Sequence, residues 1–271
     1  MSNRTWRHVI AAAVSLSAFT STVWAQDSTP ISGPVSAHES FAAYVHDLHA
    51  LNADVSFATQ PWGYGGNAHI RSIGMIGWFV RMDVTARMEG HFGPGNTVAP
   101  ILYDSAGLSR GAQRHVHLDY QNNTPTVTVH TPPETDRDPV PSSTLPGTID
   151  TFSGMVRLLQ TMRNTGQCNG SANVFDGARL THITVHGPVA DNVPTDHDQL
   201  ETGAALRCDF VGQQVAGFIK DSPNRAKMAS PQPGAVWFKN VQGFGLLPVR
   251  VEFEHPKLGH ISLVLQTPIT H

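Results

Sequence analysis

Short runs in which apolar and polar residues alternate dominate the chain, and one stretch alone repeats convincingly with helical spacing. Alternation of this kind is the period of a half-buried strand, so the pattern predicts a mainly β protein with antiparallel sheet solvated on one side. From residue 41 to about 120 the segments have strand composition. One runs over 44–57 and a second over 69–88, broken at Gly74 and Gly77. In the second, Ile76, Trp78, Val80, Met82 and Val84 fall at every other position. The glycine-rich stretch 61–66 reads as the turn between them. Residues 115–120 and 126–130 form a hairpin candidate across Asn122-Asn123.

Five prolines in residues 131–147 exclude a helix or an interior strand there, leaving a long connector between two halves. Directly after it, Phe152, Met155, Val156, Leu159 and Met162 recur at helical spacing. Asp150 or Thr148 can cap this helix, which spans about 150–163, and Gly166 stops it. Its apolar stripe is better suited to covering a sheet than to holding a cofactor. Strands return at 179–186 and around Leu206, Cys208 and Phe210, with a polar loop over 191–201. The chain closes on a hairpin: Val249, Val251 and Phe253 alternate with Arg250, Glu252 and Glu254, a turn follows at 255–259, and Ile261, Leu263 and Leu265 return.

The N-terminal segment changes the picture. Arg4 and Arg7 precede an apolar run over 9–19, and Val23 and Ala25 occupy the small-residue positions that a signal peptidase reads. Residues 1–25 therefore read as a signal peptide cleaved after Ala25, with a flexible leader over 26–39 and a single domain over 40–266. The apolar run is about half the ~20 residues a spanning helix requires. No later segment is apolar enough to span a membrane, so the expected location is the periplasm. The net charge of −3 offers little attraction to nucleic acid or anionic lipid.

Cys168 and Cys208 are the two cysteines. In an oxidising compartment they most simply form one structural bridge. A redox pair or metal thiolates is the functional alternative, but the forty-residue separation lacks the Cys-x-x-Cys pattern.

Nucleophile-elbow, His-Glu-x-x-His, phosphate-loop and dinucleotide signatures are absent, which points away from an enzyme and from any cofactor. Histidine is the unusual count, at 15. His115 and His117 flank Val116, so on a strand they share a face about 7 Å apart, close enough for one metal ion if a third ligand joins them. The simpler reading is polar residues on the wet face of a sheet, and no metal is assigned. The acidic cluster of Asp191, Asp196, Asp198 and Glu201 similarly reads as a solvated loop. Trp62, Trp78 and Trp237 lie in or beside β segments. In a strongly curved sheet they would line a ligand cavity, with ordinary core packing as the alternative.

A set of short motifs in fixed order carries a resemblance. Residues 148–153 (Thr-Ile-Asp-Thr-Phe-Ser), Cys168, 174–179 (Val-Phe-Asp-Gly-Ala-Arg), 206–208 (Leu-Arg-Cys) and 248–251 (Pro-Val-Arg-Val) are similar to the bacterial envelope family known as domain of unknown function 3108. Ala99-Pro100 and Tyr103 are compatible with it in the first half. The resemblance implies a periplasmic protein with a curved or barrel-like antiparallel sheet and a helix against it. It brings no catalytic residues, and Cys168 and Cys208 are the one pair it transfers. The function expected from all this is non-catalytic support of the cell envelope, by binding a lipid, a glycan or a periplasmic protein. The alternatives are a scaffold without a ligand cavity and a His-dependent metal hydrolase.

Overall fold

The computed structural model describes residues 35–74, 81–242 and 244–267. The expected signal peptide and the segment 75–80, with Trp78, lie outside the described residues. Among the described residues thirteen strands form a single antiparallel sheet: β1 (Val35–Val45), β2 (Leu48–Gln60), β3 (Gly63–Ser72), β4 (Asp83–Phe92), β5 (Val98–Ser109), β6 (Ala112–Gln121), β7 (Thr124–Thr131), β8 (Gly170–Phe175), β9 (Leu180–Val193), β10 (Gly203–Ala216), β11 (Gln232–Val241), β12 (Gly245–His255) and β13 (Gly259–Leu265). Helix α1 (Thr151–Thr165) follows the Pro-rich connector, and a short α2 (Arg225–Ala229) precedes β11.

Strands pair with their neighbours in sequence except β7 and β8, which are the two edges, and β1 pairs with β13 in the middle of the sheet. The sheet is curved but not closed. Tight turns set this register locally: His46-Asp47, Arg110-Gly111 and Asn122-Asn123 each place two residues at positive φ, the conformation that matches the twist of a two-residue hairpin.

Helix α1 fills the trough of the curved sheet. Its Leu159 and Met162 pack with Ala37, Cys208, Val236, Phe238 and Leu247, drawn from β1 and β10–β12. Val156 packs with Tyr64, Met88, Val98 and Val174, from the opposite arm and from β8. The seam between the edges is filled by side chains. Leu118 and Tyr120 of β6 meet Phe175 and Leu180, and Ile149 adds a short parallel bridge to Val174. The connector over 131–147 runs along this seam rather than away from it, with Asp138 N–H donating to the Phe218 carbonyl at 2.8 Å.

Asp150 caps α1. Its Oδ1 accepts from the Ser153 amide at 2.9 Å and its Oδ2 from the Ser153 hydroxyl at 2.5 Å, while Tyr64 donates to Ser153 Oγ at 2.7 Å. Gly166 ends the helix at φ +67°. Because Asp150 is fully buried, Asp150→Ala removes a cap and orphans the Ser153 donors. A loss of about 2–3 kcal/mol is expected, read as the shift in a urea unfolding midpoint.

Four local expectations are corrected. β1 begins at Val35, inside the stretch read as flexible leader, because Ala37 and Glu39 are drawn beneath α1. The 61–66 turn contracts to Pro61-Trp62, and Gly63 and Gly66 are strand residues. Their lack of a side chain is the reason: a Cβ on Gly66 would lie 2.6 Å from the Met88 methyl, and one on Gly63 2.4 Å from the Gly90 carbonyl. The polar loop shortens to 194–202, since β9 runs to Val193. Arg250, placed by alternation on the wet face, is 0% exposed. That loop folds over it, with Asp196 2.7 Å from Nη2 and Gln199 Oε1 2.8 Å from Nη1.

Candidate functional site

The face of β1–β6 opposite α1 carries an uninterrupted row of polar side chains. Cross-strand pairing aligns His38 with Ser56, Ser56 with Asn67, Asn67 with Arg87, Arg87 with Asp104, and Asp104 with His117. A second row beside it aligns Ser40, Asp54, His69 and Thr85. Side chains on one face of paired strands stand about 5 Å apart, so these rows form a continuous polar surface. Two shallow grooves cross it, of about 330 and 580 Å³, sharing Ser56, Asn67 and Arg87. Asp104 stands at one end of the smaller.

Three side chains converge at that end. The β5–β6 hairpin, turned at Arg110-Gly111, sets Asp104 directly across from His117 and one step diagonal to His115. Asp104 Oδ1 lies 2.7 Å from His115 Nε2 and 3.0 Å from His117 Nδ1. His117 Nε2 reaches Asp119 Oδ1 at 3.3 Å, and Thr128 donates to Asp119 Oδ2 at 3.0 Å. Burial alone would raise the Asp104 carboxyl, but hydrogen bonds from both imidazoles outweigh it and hold it below its ordinary value. The bond to Asp104 raises His117 above its usual range against desolvation, with Asp119 adding to the effect. The donor atoms of Asp104, His115 and His117 all lie within 4.8 Å of one another.

His115 and His117 were legible from their i, i+2 spacing. Asp104 was missed because it is eleven residues upstream and joins them only through strand register. Nothing in the chain order pairs Asp104 with His117. Asn67 and Arg87 were missed for the same reason.

The tryptophans do not form a common lining among the described residues. Trp62 sits at the β2–β3 turn, 64% exposed, its ring 5.8 Å from that of His91. Trp237 is buried in β11 with Phe41, Ala53, Val193 and Val249, and its indole N–H donates to Asp191 Oδ2 at 3.1 Å. Neither borders the two grooves. The acidic cluster is taken up by structural pairing: Asp191 with Arg207, Asp196 with Arg250 and Glu201 with Lys239. Cys168 and Cys208 are joined as a disulfide, tying the exit of α1 to β10.

A curved antiparallel sheet wrapped on one helix, cross-linked by one disulfide and bearing its polar groups on the outer face, defines a barrel-like β protein. The chain belongs to the family described as protein of unknown function DUF3108, whose pattern matches residues 43–266. Among solved structures it is similar to the beta-barrel-like protein of domain of unknown function DUF1849 from Brucella abortus. That similarity has 11% identity and a TM-score of 0.44, covering 87% of this chain and 97% of the other. No curated protein matches. No helix among the described residues is long and apolar enough to cross a membrane.

Proposed function

We propose that this chain is a non-catalytic, exported periplasmic protein that supports envelope integrity by holding a protein partner on the outer face of β1–β6. The observation that carries the reading is the filled trough. Where a carrier would enclose an apolar ligand, Leu159 and Met162 of α1 already occupy the space against Val236, Phe238 and Leu247. This favours a scaffold over a lipid carrier. The polar row from His38 to His117 is the surface left for recognition. Among the described residues its aligned positions offer amide, carboxylate, guanidinium and imidazole groups, with Phe57 the one phenylalanine lining either groove, which suits a peptide segment better than a sugar ring. Export is supported by the sequence of residues 1–25 and by a disulfide that cytosolic reductants would oppose.

The test is genetic. A deletion strain is expected to become sensitive to detergent and to wall-active antibiotics. The full chain restores resistance, whereas a chain beginning at Gln26, confined to the cytosol, does not. Asn67→Ala with Arg87→Ala is expected to fail while accumulating in the periplasm with its disulfide intact. Full rescue by that double variant would remove the outer face from the function. A lipid-sized mass retained in native mass spectrometry would restore the carrier.

A further inference from the structure

The convergence of Asp104, His115 and His117 goes beyond what a surface hydrogen-bond network requires. An exposed His–carboxylate pair needs one contact, yet here two imidazoles aim at a single carboxylate oxygen, at 2.7 and 3.0 Å. A second carboxylate, Asp119, stands behind them. His117 presents Nδ1 to this meeting point while its other nitrogen is held by Asp119, itself held by Thr128. That is the arrangement by which a metal-ligating histidine is fixed in one tautomer and one orientation: the free ring N–H donates to an outer carboxylate, which is in turn hydrogen-bonded. It is an observation separate from the closeness of the three donor atoms.

We propose that Asp104 Oδ1, His115 Nε2 and His117 Nδ1 bind one divalent late first-row transition-metal ion, of the zinc type, with Asp119 as the positioning residue for His117. Two imidazoles and one carboxylate are a borderline donor set, suited to zinc, cobalt or nickel and poorly suited to calcium or magnesium, which take oxygen donors. Ligand bonds of about 2.0–2.2 Å in a tetrahedron put neighbouring donor atoms roughly 3.3 Å apart. The two separations from Asp104 Oδ1 therefore need to open by about half an ångström, and the two imidazole nitrogens lie within 4.8 Å of each other. The side chains can do this without moving the strands, because they are 29%, 42% and 27% exposed respectively. Strand register holds their Cα atoms in place. Three protein ligands leave one position open, and Asp104 also lines the 330 Å³ groove. The ion would thus sit at the end of the polar row, available to a group donated by whatever lies in that groove. The proposal does not depend on the envelope role, and the experiment below reads metal binding alone.

The test uses the exported chain without a histidine tag, stripped with chelator and titrated with Co²⁺ and then Zn²⁺. One equivalent of Co²⁺ is expected to produce the visible absorption of a low-coordinate cobalt site, and one equivalent of Zn²⁺ to displace it. His115→Ala and His117→Ala are expected to weaken zinc binding by about 100-fold or more, and Asp104→Asn by a similar factor. Asp119→Asn, which removes no ligand, is expected to weaken it about 10–100-fold with the stoichiometry kept. All four side chains are partly exposed, and unchanged thermal midpoints would show that the fold is intact in each variant. Absence of stoichiometric binding in the unaltered chain would overturn the proposal. So would a His115→Ala/His117→Ala double variant that binds zinc within threefold of the parent, since the remaining histidines would then be the ligands.

Discussion

Replacing Cys168 and Cys208 together by alanine is expected to lower the unfolding free energy by about 4 kcal/mol. The bridge closes a loop of forty residues, and removing it returns that conformational freedom to the unfolded chain. For a chain of this size, the expected fall in thermal midpoint is about 8–16 °C. Native-state packing adds to the loss, because both cysteines are buried beside Met162, Val236 and Phe238. Cys208 Sγ lies 3.6 Å from Met162 Sδ, so α1 rests directly on the cross-link. The bridge joins the exit of α1 to β10, and β8 and β9 lie within the loop it closes. Loosening is therefore expected to start at the β8 edge. Hydrogen exchange of β8 amides in the double variant would read this, and protection lost equally over β1–β7 would contradict it. A thiol reagent is expected to find no target in the native oxidised chain before unfolding and reduction.

The second large effect concerns Glu39. Its side chain is 2% exposed, and its Oε1 has no hydrogen-bond partner. Burial raises its pKa to about 8, with Arg163 pulling the other way. Since the unfolded value is near 4.5, the folded chain keeps a proton that the unfolded chain has released. Stability from this group is full below the unfolded pKa and declines as pH rises, by about 1.4 kcal/mol per pH unit, until the folded pKa is passed. The total is on the order of 4–5 kcal/mol between about pH 4.5 and 8. Glu39→Gln keeps the shape and cannot ionise. It is expected to flatten the decline and to raise the urea midpoint at pH 8, with little change at pH 5. Parallel curves for the two proteins would show that Glu39 does not titrate across this range. Carboxylates held low, among them Asp104, Glu134 and Asp196, act in the opposite sense in acid, losing their contribution as pH falls through their folded values.

Glu39 also shows where reading the chain stops. It lies within the stretch 26–39 that composition marks as a leader, rich in small and polar residues. It enters the trough because β1 pairs on both sides, with β2 and with β13. The partner β13 is more than two hundred residues away, and no local signal announces it. Arg250 is the matching case at the other end. Alternation with Val249 and Val251 was read correctly as strand, but the solvent expected on its face is replaced by the 194–202 loop.

The elements themselves were written locally. The helix over Thr151–Thr165 follows from its apolar spacing, the Asp150 cap and Gly166, all within one short stretch. The β6–β7 hairpin follows from Asn122-Asn123, and the β12–β13 hairpin from alternation on either side of 255–259. The mainly β class and the cysteine pair were legible for the same reason: periodicity and residue count are properties of the chain, independent of how it is arranged. Strand order, the wrapping of thirteen strands around α1, and the meeting of Asp104 with His115 and His117 were decided by tertiary structure. Each depends on register between strands, which cross-strand hydrogen bonds and the packing of one face set jointly, and a shift of a single residue would turn Asp104 to the opposite side of the sheet.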